Sequence, residues 1–87
     1  MSRVLAGLYT DAADALDAGD IAKAVPLLRR ISDDLATARD APTMALCEDA
    51  ENLASFAPAM ATRELRKAAN ELRAVAADIA EAARDES

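Results

Sequence analysis

The side chains here that could do chemistry are few, and the first is a lone thiol. Cys47 is followed by Glu48, Asp49 and Glu51. A reactive cysteine needs an electropositive, partly exposed setting, and three neighbouring carboxylates supply the opposite. Cys47 therefore reads as a small apolar side chain of the kind that packs inside. The carboxylates themselves invite a hard cation, but such an ion wants several oxygens converging from one turn or loop. On a helix these three fan outward, so they read as a solvated face or as partners for a basic helix. Arg29 with Arg30, and Arg63 with Arg66 and Lys67, invite an anion, yet they stand singly or among acids and read as ion-pairing residues. Tyr9 is the sole tyrosine. One ring makes no stacking platform for bases, and it is expected at the edge of the core with its hydroxyl in water.

What is missing narrows the classes further. There is no histidine, which removes the commonest general base and the commonest ligand for zinc, copper and iron. The Glu-x-x-His motif of helical di-iron sites and the His-based nucleophile systems cannot be assembled. Gly7 and Gly19 stand alone, so no phosphate-cradling glycine loop exists. No catalytic residue, metal ligand or cofactor site is expected. The formal net charge of −6 repels phosphate backbones and argues against nucleic acid as a partner. A single cysteine suits a reducing compartment, and no signal peptide is evident: the apolar run Val4 to Leu8 is short and Asp11 and Asp14 follow it. No apolar stretch approaches the ~20 residues a bilayer span needs. A cytoplasmic protein that does not enter membranes is expected.

The elements that would position these residues are helical. Alanine, leucine, arginine and glutamate dominate, all strong helix formers, and no stretch alternates with the period of a strand. With 87 residues the chain fits one domain, 1–87. Alanine makes up much of the apolar fraction, so the core is thin and pairing with a partner would help it. A first helix is predicted from a Ser2 cap to Ala18, ending at Gly19, with Leu5, Leu8, Tyr9, Ala12, Ala15 and Leu16 as its buried stripe. A second runs from the Asp20 cap to about Arg39. In it Ile21, Leu28 and Leu35 recur every seven residues beside Ala24, Ile31 and Ala38. Pro26 predicts a kink there, or a loose first turn. After the break at Asp40 to Pro42, Thr43 is the expected cap of a third helix burying Leu46, Ala50, Leu53, Ala57 and Met60, with Cys47 and Ala54 alongside. Pro58 either ends that helix or bends it. The fourth, from about Ala59 to Arg84, repeats Leu65, Ala68, Leu72, Val75, Ile79 and Ala82, beside a row of Ala69, Ala76 and Ala83.

The segment Ala18-Gly19-Asp20-Ile21-Ala22-Lys23-Ala24 resembles the turn between the helices of a tetratricopeptide repeat. It does not recur, and the aromatic positions of that repeat are missing, so the resemblance implies one antiparallel hairpin and no repeat fold. Short connections make neighbouring helices antiparallel. The expected fold is a small all-α, antiparallel up-down bundle of four helices, or three if Pro58 only kinks.

The fourth helix carries its charge against its dipole. Arg63, Glu64, Arg66, Lys67, Glu71 and Arg73 sum to +2, whereas Asp78, Glu81, Arg84, Asp85 and Glu86 sum to −3. A helix dipole prefers the reverse, at ~0.3–1 kcal/mol per charge. Either the acidic third helix lies against the basic start, or two copies of helix four pair antiparallel as a self-complementary homodimer. The candidate interface for that dimer is Leu65, Ala69, Leu72, Ala76, Ile79 and Ala83, with Arg66, Arg73, Asp78 and Glu81 setting the register. The function that follows is a small non-enzymatic protein-interaction module or adaptor working through a helical face, with Met44 and Met60 suited to a groove that takes a partner helix. The alternative is an acidic inhibitor that covers a basic surface in place of nucleic acid, using Asp11, Asp14, Asp17, Asp33, Asp34 and the acids of Glu48 to Glu51.

Overall fold

Local punctuation cuts the chain into its helices. A computed structural model describes residues 3–85, with α1 at Arg3–Asp17, α2 at Ile21–Leu35, α3 at Ala41–Phe56 and α4 at Thr62–Asp85. The expected Ser2 cap lies outside the described residues. Gly19 takes φ +71°, a conformation that a side chain would strain. It lets the Asp20 N–H donate to the Ala15 carbonyl at 2.8 Å and the Gly19 N–H donate to that of Leu16 at 3.0 Å. This is the paired closure that satisfies the last carbonyls of α1. Asp20 then opens α2, its carboxylate accepting from the Lys23 N–H at 3.2 Å. One residue ends a helix and starts the next.

The later boundaries correct three expectations. Helix α2 is helical from Ile21 onward, so Pro26 is not preceded by a loose turn, and the helix ends at Leu35, short of Arg39. Asp40, not Thr43, caps α3: its carboxylate accepts from the Thr43 N–H at 3.0 Å and from the Thr43 hydroxyl. Pro42 thereby falls in the first turn, where its missing N–H costs nothing. Pro58 sits in a short 3₁₀ turn, Ala57–Ala59, and Met60 is extended. Pro58 therefore ends α3, and four separate helices result. Glu64 reaches back to the Ala61 N–H at 3.5 Å, supplying the side-chain acceptor that alanine lacks at the start of α4.

The helices pack as an all-α antiparallel bundle in the spatial order α4, α1, α2, α3. Because α1 is flanked on two sides, it buries the widest face: Ala6 and Ala13 join Leu5, Leu8, Tyr9, Ala12, Ala15 and Leu16. Leu28 and Ile31 of α2 are fully enclosed, each burial contributing roughly 1.5–3 kcal/mol. Helix α4 brings Leu65, Ala68, Ala69, Leu72, Ala76 and Ile79 to the core. Arg73 clamps it to α1, with Nη2 3.0 Å from Asp14 Oδ1 and Nη1 2.6 Å from Asp17 Oδ2.

Candidate functional site

The two outer helices, α3 and α4, make no extensive contact with each other, and a groove of about 520 Å³ is lined by residues of both. That volume falls in the ~300–1,000 Å³ range of ligand-binding clefts. Its origin lies in which row of α3 turns inward. Cys47, Ala50, Ala54 and Ala57 follow helical three- and four-residue steps, and the three alanines are buried. Small side chains let α3 approach α2 closely, and the Cys47 thiol donates to the Ser32 carbonyl at 3.3 Å across that contact. The neighbouring row, Leu46, Leu53 and Met60, was expected in the core. It is only half-buried and lines the groove.

Phe56, 64% exposed, stands at the same groove. On the opposite wall α4 presents Leu72 and Val75; Val75, which its spacing assigned to the buried row, rests against the core but is only half-buried. Met60 lines the groove, whereas Met44 is exposed and is not among the lining residues.

Polar groups on the walls are mostly acidic: Asp49, Glu64 and Glu71, with Asn52 and a single ammonium, Lys67. Tyr9 of α1 contributes to the floor. Contrary to its expected place at the edge of the core, Tyr9 is 2% exposed, and its hydroxyl is buried with no hydrogen-bond partner among the described residues. Burial, reinforced by the nearby Asp49 carboxylate and then by Cys47, pushes its pKa from 10.0 up to about 12. The phenol therefore stays neutral and keeps its proton to donate.

The expected dimer row has a different place. Leu65, Ala69, Leu72, Ala76 and Ile79 are buried within one chain, and the helix they face is α1. Ala83 is half-buried, while Arg66, Asp78 and Glu81 are exposed. Arg73 is occupied by Asp14 and Asp17, which raise its pKa. Of the basic residues in the first half of α4, Arg73 thus pairs with acids at the end of α1, while Lys67 lines the groove with Asp49 of α3. Glu48, Asp49 and Glu51 do not converge, and no group of three potential metal ligands exists among the described residues. No described helix is long and apolar enough to cross a membrane.

Comparison with protein-family models, with curated proteins and with solved structures finds no match for this chain.

Proposed function

We propose that the chain is a non-enzymatic protein-interaction module that receives an amphipathic helix of another protein between α3 and α4. One observation carries this reading: Leu46, Leu53, Met60 and Val75, which rest against the core on one side only, line an open groove together with the exposed Phe56. Leaving such side chains in water forgoes burial at roughly 25 cal/mol per Å², and a docked helix recovers it. Helix-in-groove recognition needs this setting, an apolar trough with anchors at helical spacing on the incoming segment.

The alternative of an acidic stand-in for nucleic acid draws less support, because Asp14 and Asp17 are already engaged by Arg73. Dimerisation through the alanine row of α4 would require α4 to leave α1, so self-association, if it occurs, uses another face. The test is affinity capture with the wild-type chain and with Leu53→Glu, at low and at moderate salt. Because Leu53 is not fully buried, the variant keeps its helical circular dichroism. A partner held by the wild type and lost by the variant supports the groove; one that ignores Leu53→Glu and falls away only with salt returns the acidic-surface reading.

A further inference from the structure

Resting on the reading of the α3–α4 groove as a helix dock, we infer that its occupant is a cationic amphipathic helix with a hydrogen-bonding side chain at the centre of its apolar stripe, placed to meet the Tyr9 hydroxyl. Two independent observations carry this. The first is charge: three carboxylates, Asp49, Glu64 and Glu71, stand around the apolar lining against one ammonium, Lys67, on a chain of net charge −6. A second copy of this chain would set acid against acid, and juxtaposed like charges select against a partner. Lysines or arginines flanking an apolar stripe meet the complementary sign.

The second is the orphan hydroxyl of Tyr9, a residue of the groove lining whose oxygen is covered by its own chain when the groove is empty, so an incoming side chain reaches it by parting the half-buried side chains above it. A buried polar group without a partner is rare and costly, and a purely apolar helix laid over Tyr9 would leave it that way. The backbone of a docked helix cannot help, since its own N–H and C=O groups are paired with each other. The partner must be a side chain. A glutamine or asparagine amide offers an acceptor for the phenol proton and a donor for its oxygen, whereas lysine offers donors only. The reach of the site sets the length. From Glu64 to Val75 the α4 wall runs about 17 Å at ~1.5 Å per residue, or about three helical turns, so the central amide has roughly one apolar anchor to each side along the stripe.

The test uses the full chain and three synthetic helical peptides of equal length, with binding followed by amide chemical-shift mapping. One is lysine-rich with a central glutamine, one lysine-rich with a central leucine, and one glutamate-rich with a central glutamine. The lysine–glutamine peptide is expected to shift amides of both α3 and α4. It should bind about three- to tenfold more tightly than its leucine counterpart, the yield of one net hydrogen bond. It should also bind more than ~10-fold more tightly than the glutamate peptide at low salt, a margin that shrinks as salt is added. Tyr9→Phe should erase the glutamine preference and leave the charge preference intact.

Equal binding of the glutamine and leucine peptides to the wild type, or preference for the glutamate peptide, overturns this inference while the groove reading stands. Shifts that avoid α3 and α4, or no binding by any of the three, overturn the groove reading itself. A doubled molar mass in light scattering that Leu53→Glu abolishes makes a second copy the occupant and overturns the cationic partner.

Discussion

Replacing Tyr9 by phenylalanine should stabilise the free chain, the reverse of the usual cost of deleting a buried hydroxyl. Tyr9 is 2% exposed and its oxygen has no partner among the described residues. The substitution therefore removes no hydrogen bond and relieves a desolvation penalty of ~1–3 kcal/mol. Against that stands the loss of one buried oxygen's packing, a few contacts at ~0.1–0.2 kcal/mol each. The net expectation is a gain of about 1 kcal/mol, or roughly 4–8 °C in Tm for a domain of this size. Urea and thermal unfolding followed by far-UV circular dichroism measure it directly. The effect should also depend on pH. A phenol held at about 12 in the fold and near 10.0 when unfolded contributes stability that is complete below pH 10 and is lost as pH climbs through 12. The advantage of Tyr9→Phe over the wild type should therefore widen in that window. With one tyrosine and no tryptophan, phenolate absorbance reports Tyr9 alone. Its midpoint should lie well above 10.0 in buffer and return to about 10 in denaturant. A Tyr9→Phe chain less stable than wild type by 1 kcal/mol or more (~1 kcal/mol being the net worth of one bond) would refute the orphan hydroxyl, and with it one of the two supports for the partner's chemistry.

The two glycines should respond in opposite senses to alanine. Gly7 lies within α1 with open space around its Cα, so Gly7→Ala should add about 0.5–1 kcal/mol in urea unfolding; Gly19 sits at φ +71°, so Gly19→Ala should cost at least a comparable amount, about 1 kcal/mol. Ala69 is fully enclosed between α4 and α1, and Ala69→Leu should lose about 1–3 kcal/mol through overpacking, read as a lower urea midpoint at unchanged slope. The Thr43 hydroxyl, then the Thr43 N–H, holds the Asp40 carboxyl below its usual 3.8. The stability it lends α3 is present above that pH and fades as pH falls through the lowered value. Asp40→Asn, which keeps a capping oxygen without titrating, should lack this component when unfolding is compared between neutral and acid pH.

Boundaries were legible wherever a residue acts on its own neighbours. Gly19 and Asp20 could be read as stop and start because a left-handed closure and a side-chain cap each need only four or five residues. Pro58 announced a break for the same reason, although its choice between bending and ending depended on the extended Met60 beyond it. Asp40 was passed over for Thr43 because both are good caps three residues apart. The geometry chose the one whose carboxylate reaches the Thr43 N–H.

The site was less legible, because its walls are the side chains that spacing alone assigned to the core. Helix α3 carries two rows of equal helical period, one through Leu46, Leu53 and Met60 and one through Cys47, Ala50, Ala54 and Ala57. Spacing put Leu46, Ala50, Leu53, Ala57 and Met60 in one buried stripe; the packed chain buries the alanines, with Ala54 beside them, and leaves Leu46, Leu53 and Met60 half-buried. Small side chains allow helix axes to approach, and how close α3 comes to α2 is set by both helices together. Likewise the reversed charge of α4 declared that a partner was needed but not which, and Asp14 and Asp17 of α1 supply one for Arg73 across a long sequence separation.

The order of amino acids by itself determined that this protein is helical, that its helices break near Gly19, Asp40 and Pro58, and that no histidine-based chemistry is open to it, since composition, caps and periodicity are properties of the chain close at hand. Only the tertiary structure decided which of two competing faces each helix hides, that α4 packs on α1 while α3 packs on α2, and that the Tyr9 hydroxyl is shut away without a partner among the described residues. Those outcomes depend on contacts between residues far apart in sequence, whose geometry no local pattern encodes.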